Sequence, residues 1–257
     1  MACMTRRQFV TIAAGMATGL AAQALLPSMA LADVARPSSV TIGTSSEFGY
    51  IGINSNNYRY DASDHSIVYC VQPGIAGSSP GAVESRSTAT FEALGLSHDA
   101  IENIRRVAYY GYGGPAYAKD TYSKYGVFLN AGTLSPPHAN TDVQAAYIVT
   151  HLMLSYLTRG TGTAINGAYW GSDSWSAACK DFIRKSILGV DESGSKVSDD
   201  CLLKAICALP APSEGSFVVY RLVGVGRIQE YMGWKYEPAG KAKLQKSVSA
   251  PWARPHQ

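Results

Sequence analysis

The chain has 257 residues, 46% of them hydrophobic, with 22 Lys and Arg against 19 Asp and Glu and a formal net charge of +3. That composition belongs to a folded chain able to bury a sizeable core, and the near balance of charge, without Lys/Arg clusters, excludes bulk electrostatics as a basis for binding nucleic acid or an anionic membrane. The patterns CxxC, HExxH and GxxxxGK[ST] are absent, so no metal and no phosphate-bearing cofactor is expected.

Thr5-Arg-Arg-Gln-Phe-Val-Thr11 sets two adjacent arginines ahead of an apolar run from Phe9 to Leu26, and Ala30-Leu-Ala32 supplies the small residues of a cleavage site. Residues 1–32 therefore read as a twin-arginine-type signal peptide. The expected product is secreted or held at the cell surface, with no membrane contact after cleavage.

From Val40 to Val71 the pattern is strand-like, broken by turn residues at Ser45-Ser46, Asn54 to Asn57 and Asp61 to Asp64. The stretch HSIVYCVQPG, His65 to Gly74, is a short strand of β-branched and aromatic residues that ends at Cys70 and is stopped by Pro73-Gly74. Residues Ala76 to Ser87 read as a Gly/Ser/Pro loop. Ser97 then caps a helix with Ile101, Ile104 and Val107 or Ala108 as its apolar stripe, and Tyr109-Tyr-Gly-Tyr-Gly-Gly-Pro115 ends it. A second helix starts at Asn140 or Thr141 and runs to about Leu157, with Gln144, Ile148, His151 and Ser155 along one face. A third spans about Ser174 to Leu188, burying Trp175, Ala178, Cys179, Phe182 and Ile183, and a fourth, 198–209, stops at Pro210. Ser216 to Val223 and Arg227 to Tyr236 are strands joined as a hairpin across Gly224-Val-Gly226. The fold class is α+β: a β-sheet or barrel subdomain built from N- and C-terminal strands, with an inserted helical subdomain.

Four cysteines follow the signal segment: Cys70, Cys179, Cys201 and Cys207. Six residues of helix would separate Cys201 from Cys207 by about 9 Å, beyond the roughly 7 Å a bridge spans. Two readings stand: packed thiols, or one bridge from Cys179 to either of that pair.

Tyr69-Cys70 at a strand end, RVAYYGYGGP after a helix, and Val143-Gln-Ala-Ala-Tyr-Ile148 in a helix resemble, in order and spacing, the thioester domains of Gram-positive surface adhesins. The resemblance spans about residues 40–237 and implies a thioester domain over 33–237. In that family a Tyr-Cys-type strand and a Thr-Gln-x-Ala-Ile/Val-Trp-type helix carry the motifs. Their carry-over implies an internal thioester between Cys70 and Gln144, with Ala146 as the motif alanine. Val143, Tyr147 and Ile148 depart from the pattern, standing where the family has Thr, Ile or Val, and Trp. The function implied is covalent capture of a lysine amine on a host or matrix protein, a single-use attachment and not an enzyme's turnover. Residues 238–257, opening with Gly240-Lys-Ala-Lys-Leu-Gln-Lys246, resemble the start of a truncated Cna-B-type β-domain and are expected to be a disordered tail.

The chemistry follows from the groups themselves: a thiolate held against a carboxamide can displace ammonia if the two are fixed in contact and the developing oxyanion is met by donors. His151 lies seven residues, about 10.5 Å, beyond Gln144 on nearly the same helical face, placed either to move protons at the edge of the site or to serve as a hydrogen-bonded structural histidine. The tyrosines 109, 110, 112, 117, 122 and 125 either line a recognition surface or cover the core. Two other functions fit the same residues. One is a cysteine peptidase or transpeptidase with Cys70 as nucleophile, His138 or His151 as base and Asn140 or Asp142 orienting it. The other is a noncovalent binding module in which Cys70 is inert.

Overall fold

The computed structural model describes residues 34–44, 59–71, 83–134, 142–159, 176–213, 215–224 and 229–238. Six antiparallel strands, β1 (Ser39–Thr44), β2 (Arg59–Asp61), β3 (Ile67–Cys70), β4 (Glu84–Ala89), β5 (Phe217–Val223) and β6 (Tyr231–Tyr236), close into a barrel in the order β1-β2-β3-β6-β5-β4. N- and C-terminal strands thus share one sheet, and the helices are inserted between β4 and β5. The α+β reading, with its barrel and inserted helical part, holds.

β3 is buried along its whole length. Val68 and Cys70 face the barrel interior with Val40, Ile42, Tyr220, Leu222 and Tyr231. Ile67, Tyr69 and Val71 face the other way, into the helical core. A strand covered on both faces needs no polar alternation, which is why Ile67 to Val71 reads as a continuous apolar run.

Three expectations need correction. The stretch assigned to a loop ends in a strand: β4 pairs with β1 through Val40↔Arg86 and with β5 through Thr88↔Leu222. Its sequence ESRSTA hides it, because the inward residue Arg86 is charged, although only 3% exposed, and no apolar alternation marks the strand. The third helix divides into α4 (Ala177–Phe182) and a six-residue π-helical run, Ile183–Leu188, closed by Gly189 at φ 70°; Ala178 is exposed, while Cys179 and Ile183 are buried, and Trp175 falls outside the described residues. The fourth helix shrinks to α5 (Leu202–Cys207), with Cys201 ahead of it in extended backbone, so helical spacing does not govern that cysteine pair. Cys70, Cys179, Cys201 and Cys207 are all free thiols. Burial pushes Cys179 and Cys207 up to about 11, which suits unreactive packing.

The helical core is built on α1 (His98–Tyr110) and α3 (Asp142–Arg159), with α2 (Lys119–Lys124) beside them. Ser97 caps α1 through the Ala100 N–H as its sequence requires. Gly111 and Gly113, the latter at φ 75°, then turn the chain back across α3. There Thr150 is a hub: its Oγ1 accepts from the Tyr112 N–H at 3.0 Å, meets the Tyr122 hydroxyl at 2.7 Å and bonds the Ala146 carbonyl at 2.8 Å. The Tyr69 hydroxyl donates to the Tyr112 carbonyl at 2.6 Å. These bonds fasten β3, the glycine turn and α3 to one another. Tyr112, Tyr117 and Tyr122 pack edge to face in series, and Tyr122 is fully buried, so this part of the tyrosine cluster belongs to the core.

Thr150→Val keeps the side-chain shape but strips partners from the buried Tyr122 hydroxyl and the Tyr112 N–H. Those two groups keep their contact with each other, so the change should cost about 1–1.5 kcal/mol, the net worth of a hydrogen bond, read as a lower urea midpoint at unchanged slope.

Candidate functional site

The site is built where the end of β3 meets a helix. In the described ladder β2 pairs with β3 through Arg59↔Val68 and Tyr60↔Ile67. On the other side β6 pairs through Tyr69↔Met232 and Cys70↔Tyr231. Beyond the β2 pairing, the strand's carbonyls turn to α3. The Cys70 carbonyl accepts from the Ser155 hydroxyl at 3.4 Å, and the Val71 carbonyl from the Thr158 hydroxyl at 3.5 Å. His151 adds a hydrogen bond to the Cys70 backbone. Tyr69 stacks on Tyr147 at 5.2 Å between ring centroids and lies 5.9 Å from the His151 ring. Backbone groups buried in this way must find partners, and α3 provides them at spacings of 4, 4 and 3 residues along one face: Tyr147, His151, Ser155 and Thr158.

Burial pushes the His151 imidazole down to about 4, helped by the nearby Arg59 charge and opposed by the hydrogen bond to the Cys70 backbone. The residue as a whole is partly buried, but its Nε2 has no contact with solvent. His151 is therefore neutral at pH 7. It bonds the backbone of Cys70, the geometry of a histidine that holds a strand in place.

Gln144 shares this face of α3 but stands at its N-terminal end, partly buried. The Cys70 carbonyl is met by residues 151 and 155, which lie about 10 and 16 Å further along the axis. A glutamine carboxamide carbon lies three bonds of roughly 1.5 Å from its Cα, and helical side chains lean toward the N-terminus, away from Cys70. The α3 side chains shown at the Cys70 backbone are those of His151 and Ser155, two to three turns beyond Gln144. Of the residues considered for a peptidase, Asp142 is exposed in the first turn of α3, and His138 and Asn140 fall outside the described residues.

A different glutamine lies next to the β3–β6 ladder. The Val71 N–H donates to the Glu230 carbonyl at 3.1 Å, so the β3–β6 ladder continues one residue past the Cys70↔Tyr231 pair. Gln229 is two residues from Tyr231 and shares its parity, which puts it on the same face as Cys70 and diagonally across from it, about 7–8 Å between backbones. The Gln229 carbonyl is held by Arg86 Nη1 at 3.5 Å. On the opposite face Glu230 is paired with Arg221 at 2.7 Å. In the sequence Gln229 lies within the strand-like stretch Arg227 to Tyr236 and no local motif sets it apart. The signal available was its position two residues before the aromatic Tyr231, but only the register shows which strand Tyr231 faces.

The barrel interior at this end is cationic. The Arg59 guanidinium lies 4.9 Å and that of Arg86 5.5 Å from the centre of the Tyr231 ring. Glu84 pairs with Arg86 at 2.8 Å. Among the described residues no cluster of three or more His, Cys, Asp or Glu side chains could hold a metal ion, and no helix is long and apolar enough to cross a membrane.

A family model described as thioester domain matches residues 38–185. Among solved structures, the chain is similar to a cysteine-to-alanine mutant of the N-terminal thioester domain of a surface protein from Clostridium perfringens, at 15% identity over 70% of this chain and 88% of that one, with a TM-score of 0.40. It is also similar to the N-terminal domain of the Streptococcus pyogenes pilus tip adhesin Cpa, at 14% identity over 80% of this chain and 98% of that one, with a TM-score of 0.46. No curated protein matches the chain.

Because the folded His151 titrates below an ordinary histidine, its contribution to stability is complete above about pH 6.5 and falls away as the pH drops toward 4, where the unfolded chain takes up the proton first. Urea unfolding of the wild type should weaken across that window by up to about 3 kcal/mol more than that of His151→Asn.

Proposed function

The chain belongs to the thioester domain family, and on that footing we propose that it is an extracellular attachment domain in which Cys70 and a glutamine form an internal thioester that captures a protein amine once. The glutamine best supported is Gln229. The observation that carries this reading is the register of β6 against β3, which sets Cys70 opposite Tyr231 and extends through the bond from the Val71 N–H to the Glu230 carbonyl. A rigid two-strand ladder supplies the fixed proximity that an otherwise slow attack on an amide requires.

In the first step the Cys70 thiolate attacks the side-chain carbonyl carbon of Gln229. The C–N bond breaks, and ammonia departs carrying the thiol's proton. In the second, a lysine amine on a host or matrix protein attacks the same carbon. The new C–N bond replaces C–S, the amine loses a proton, and Cys70 is free again. No oxidant or metal enters either step. The product is an isopeptide bond at Gln229, and the domain is spent, which makes the process attachment and not turnover. His151 serves here as a neutral donor that fixes the Cys70 carbonyl, with too low an affinity for protons to act as the principal base at pH 7. Gln144 and Tyr147 belong to the helix face that supports β3.

Mass spectrometry of the folded protein tests this directly. The wild type should be lighter than its sequence by one ammonia, and methylamine should add its own mass at Gln229 while exposing one thiol. Cys70→Ala and Gln229→Ala should show neither change; Gln144→Ala should retain both. Loss of the ammonia deficit in Gln144→Ala, with Gln229→Ala unaffected, would reverse the assignment. A full sequence mass together with peptide cleavage would instead favour a cysteine peptidase.

A further inference from the structure

We propose that Arg59 is the electrostatic partner of the Cys70 sulfur, holding it as a thiolate both for attack on the glutamine carboxamide and as the group expelled when an amine arrives. The proposal deepens the reading of Cys70 as the reacting thiol and does not depend on which glutamine it joins.

Register places the charge. Arg59 pairs with Val68, and Cys70 lies two residues further along β3, on the same inward face. The diagonal between such positions, about 7–8 Å, is well within the reach of an arginine side chain. The guanidinium's observed position agrees: it lies 4.9 Å from the ring centre of Tyr231, the residue directly opposite Cys70. In that kind of pair, which exchanges no ladder hydrogen bonds, the backbones approach to about 4.5 Å and the side chains are neighbours.

Burial makes the charge consequential. Arg59 is 8% exposed and Arg86 3%. A guanidinium cannot shed its proton to escape a poorly solvated site, so an anion forming alongside it is stabilised there far more than in water. Among the described residues, the groups on this side of the barrel or bonded to the Cys70 backbone are Arg59 on β2, Arg86 and Glu84 on β4, Tyr231 on β6 with Gln229 just before it, and His151 on α3. Glu84 is bound to Arg86. Glu230 points to the other face and is held by Arg221. His151 is neutral, and the field of Arg59 is one of the causes. Arg59 and Arg86 thus bring two permanently charged guanidinium groups to the side of the barrel that Cys70 faces, surroundings of the kind that lower a cysteine below its usual 8.5.

Both chemical steps use the same field. Thioester formation begins from S⁻, so a larger thiolate fraction raises the rate of attack. In amine capture the C–S bond breaks to release S⁻ as the amine's proton passes to solvent, and a stabilised thiolate is the better leaving group. Tyr231 keeps the guanidinium in place by presenting its ring face to it.

The test is a thiol titration on a Gln144→Ala, Gln229→Ala background, where Cys70 is free whichever glutamine it joins. The rate of iodoacetamide labelling at Cys70, located by peptide mass, is measured against pH. The plateau reports access to the sulfur and the midpoint reports its charge environment, so a purely structural role for Arg59 would move only the plateau. With Arg59 present the midpoint should fall below 8.5. Arg59→Met, which retains an apolar stem of similar shape, should raise it by at least one pH unit, so that about tenfold less thiolate is present at pH 7; Arg59→Lys should restore most of the shift. If Arg59→Met fails to fold, a midpoint at or above 8.5 with Arg59 in place would still overturn the proposal. So would a midpoint that does not move in a folded Arg59→Met. Separately, an intact wild-type mass with a lowered, Arg59-dependent midpoint would reject the thioester while leaving the Arg59–Cys70 pairing standing.

Discussion

The contact on which this structure depends is the one between the end of β3 and the middle of α3. β3 is paired by β6 along its final residues, but its carbonyls at Cys70 and Val71 are satisfied by side chains of a helix. Buried carbonyls left without partners would each cost on the order of 1–3 kcal/mol, and here three α3 residues, His151, Ser155 and Thr158, meet the requirement at once. The barrel and the helical core are thereby joined through the residue that carries the thiol. Tyr69, one residue earlier, extends the same connection to the glycine turn after α1 through its hydroxyl. Cys70 is consequently held by groups from two layers, and its backbone has little freedom to drift relative to β6.

Much of this arrangement can be read from sequence, and the parts that cannot share a physical cause. Ser97, the 101/104/107 stripe and the terminating glycines define α1 because capping and 3.6-residue periodicity are local properties. The face of α3 and the strand character of Ile67 to Cys70 are equally local, as is the class of fold that follows from strands at both ends. β4 is not legible because its inward position is filled by Arg86, and a charged inward residue makes sense only once its partners from distant strands are known. Gln229 is not legible for a related reason. Its proximity to Cys70 exists only through a register between strands some 160 residues apart, whereas Gln144 sits in a recognisable helix pattern on the correct face. A helix face specifies direction but not depth: His151 and Ser155 bond the Cys70 backbone, and Gln144 stands two turns before His151.

The barrel interior shows what is unusual about the chain. Small barrels are ordinarily filled by apolar side chains, and Val40, Ile42, Val68 and Leu222 do this here. Charge nevertheless enters at both ends. Lys235 bridges Asp61 at 2.7 Å and Asp64 at 2.6 Å. Burial pushes the Asp64 carboxyl up, but hydrogen bonds from Lys235 and Ser66 outweigh it and leave it below the ordinary carboxylate range. That end gathers two carboxylates around one ammonium, an arrangement suited to holding β2 against β6.

At the Cys70 end the buried charged side chains are chiefly basic. Arg59 and Arg86 face the same tyrosine ring with Glu84 bound to Arg86. Guanidinium groups fixed in a poorly solvated space favour a neighbouring group that can become negative. A sulfur that becomes anionic during reaction would be such a group, and the stabilisation would be largest at the moment the C–S bond forms or breaks. The two ends then divide the work: the Lys235 network ties β2 to β6, and the arginines stand on the side of the barrel where the proposed reaction would develop charge. Preorganised charge of this kind requires no rearrangement during the reaction, and a ladder that already sets Cys70 opposite Tyr231 requires none either. Reactivity at Cys70 is on this account a property of the closed barrel as a whole, because strands β2, β4 and β6 each contribute a residue to its surroundings and closure alone brings the three together.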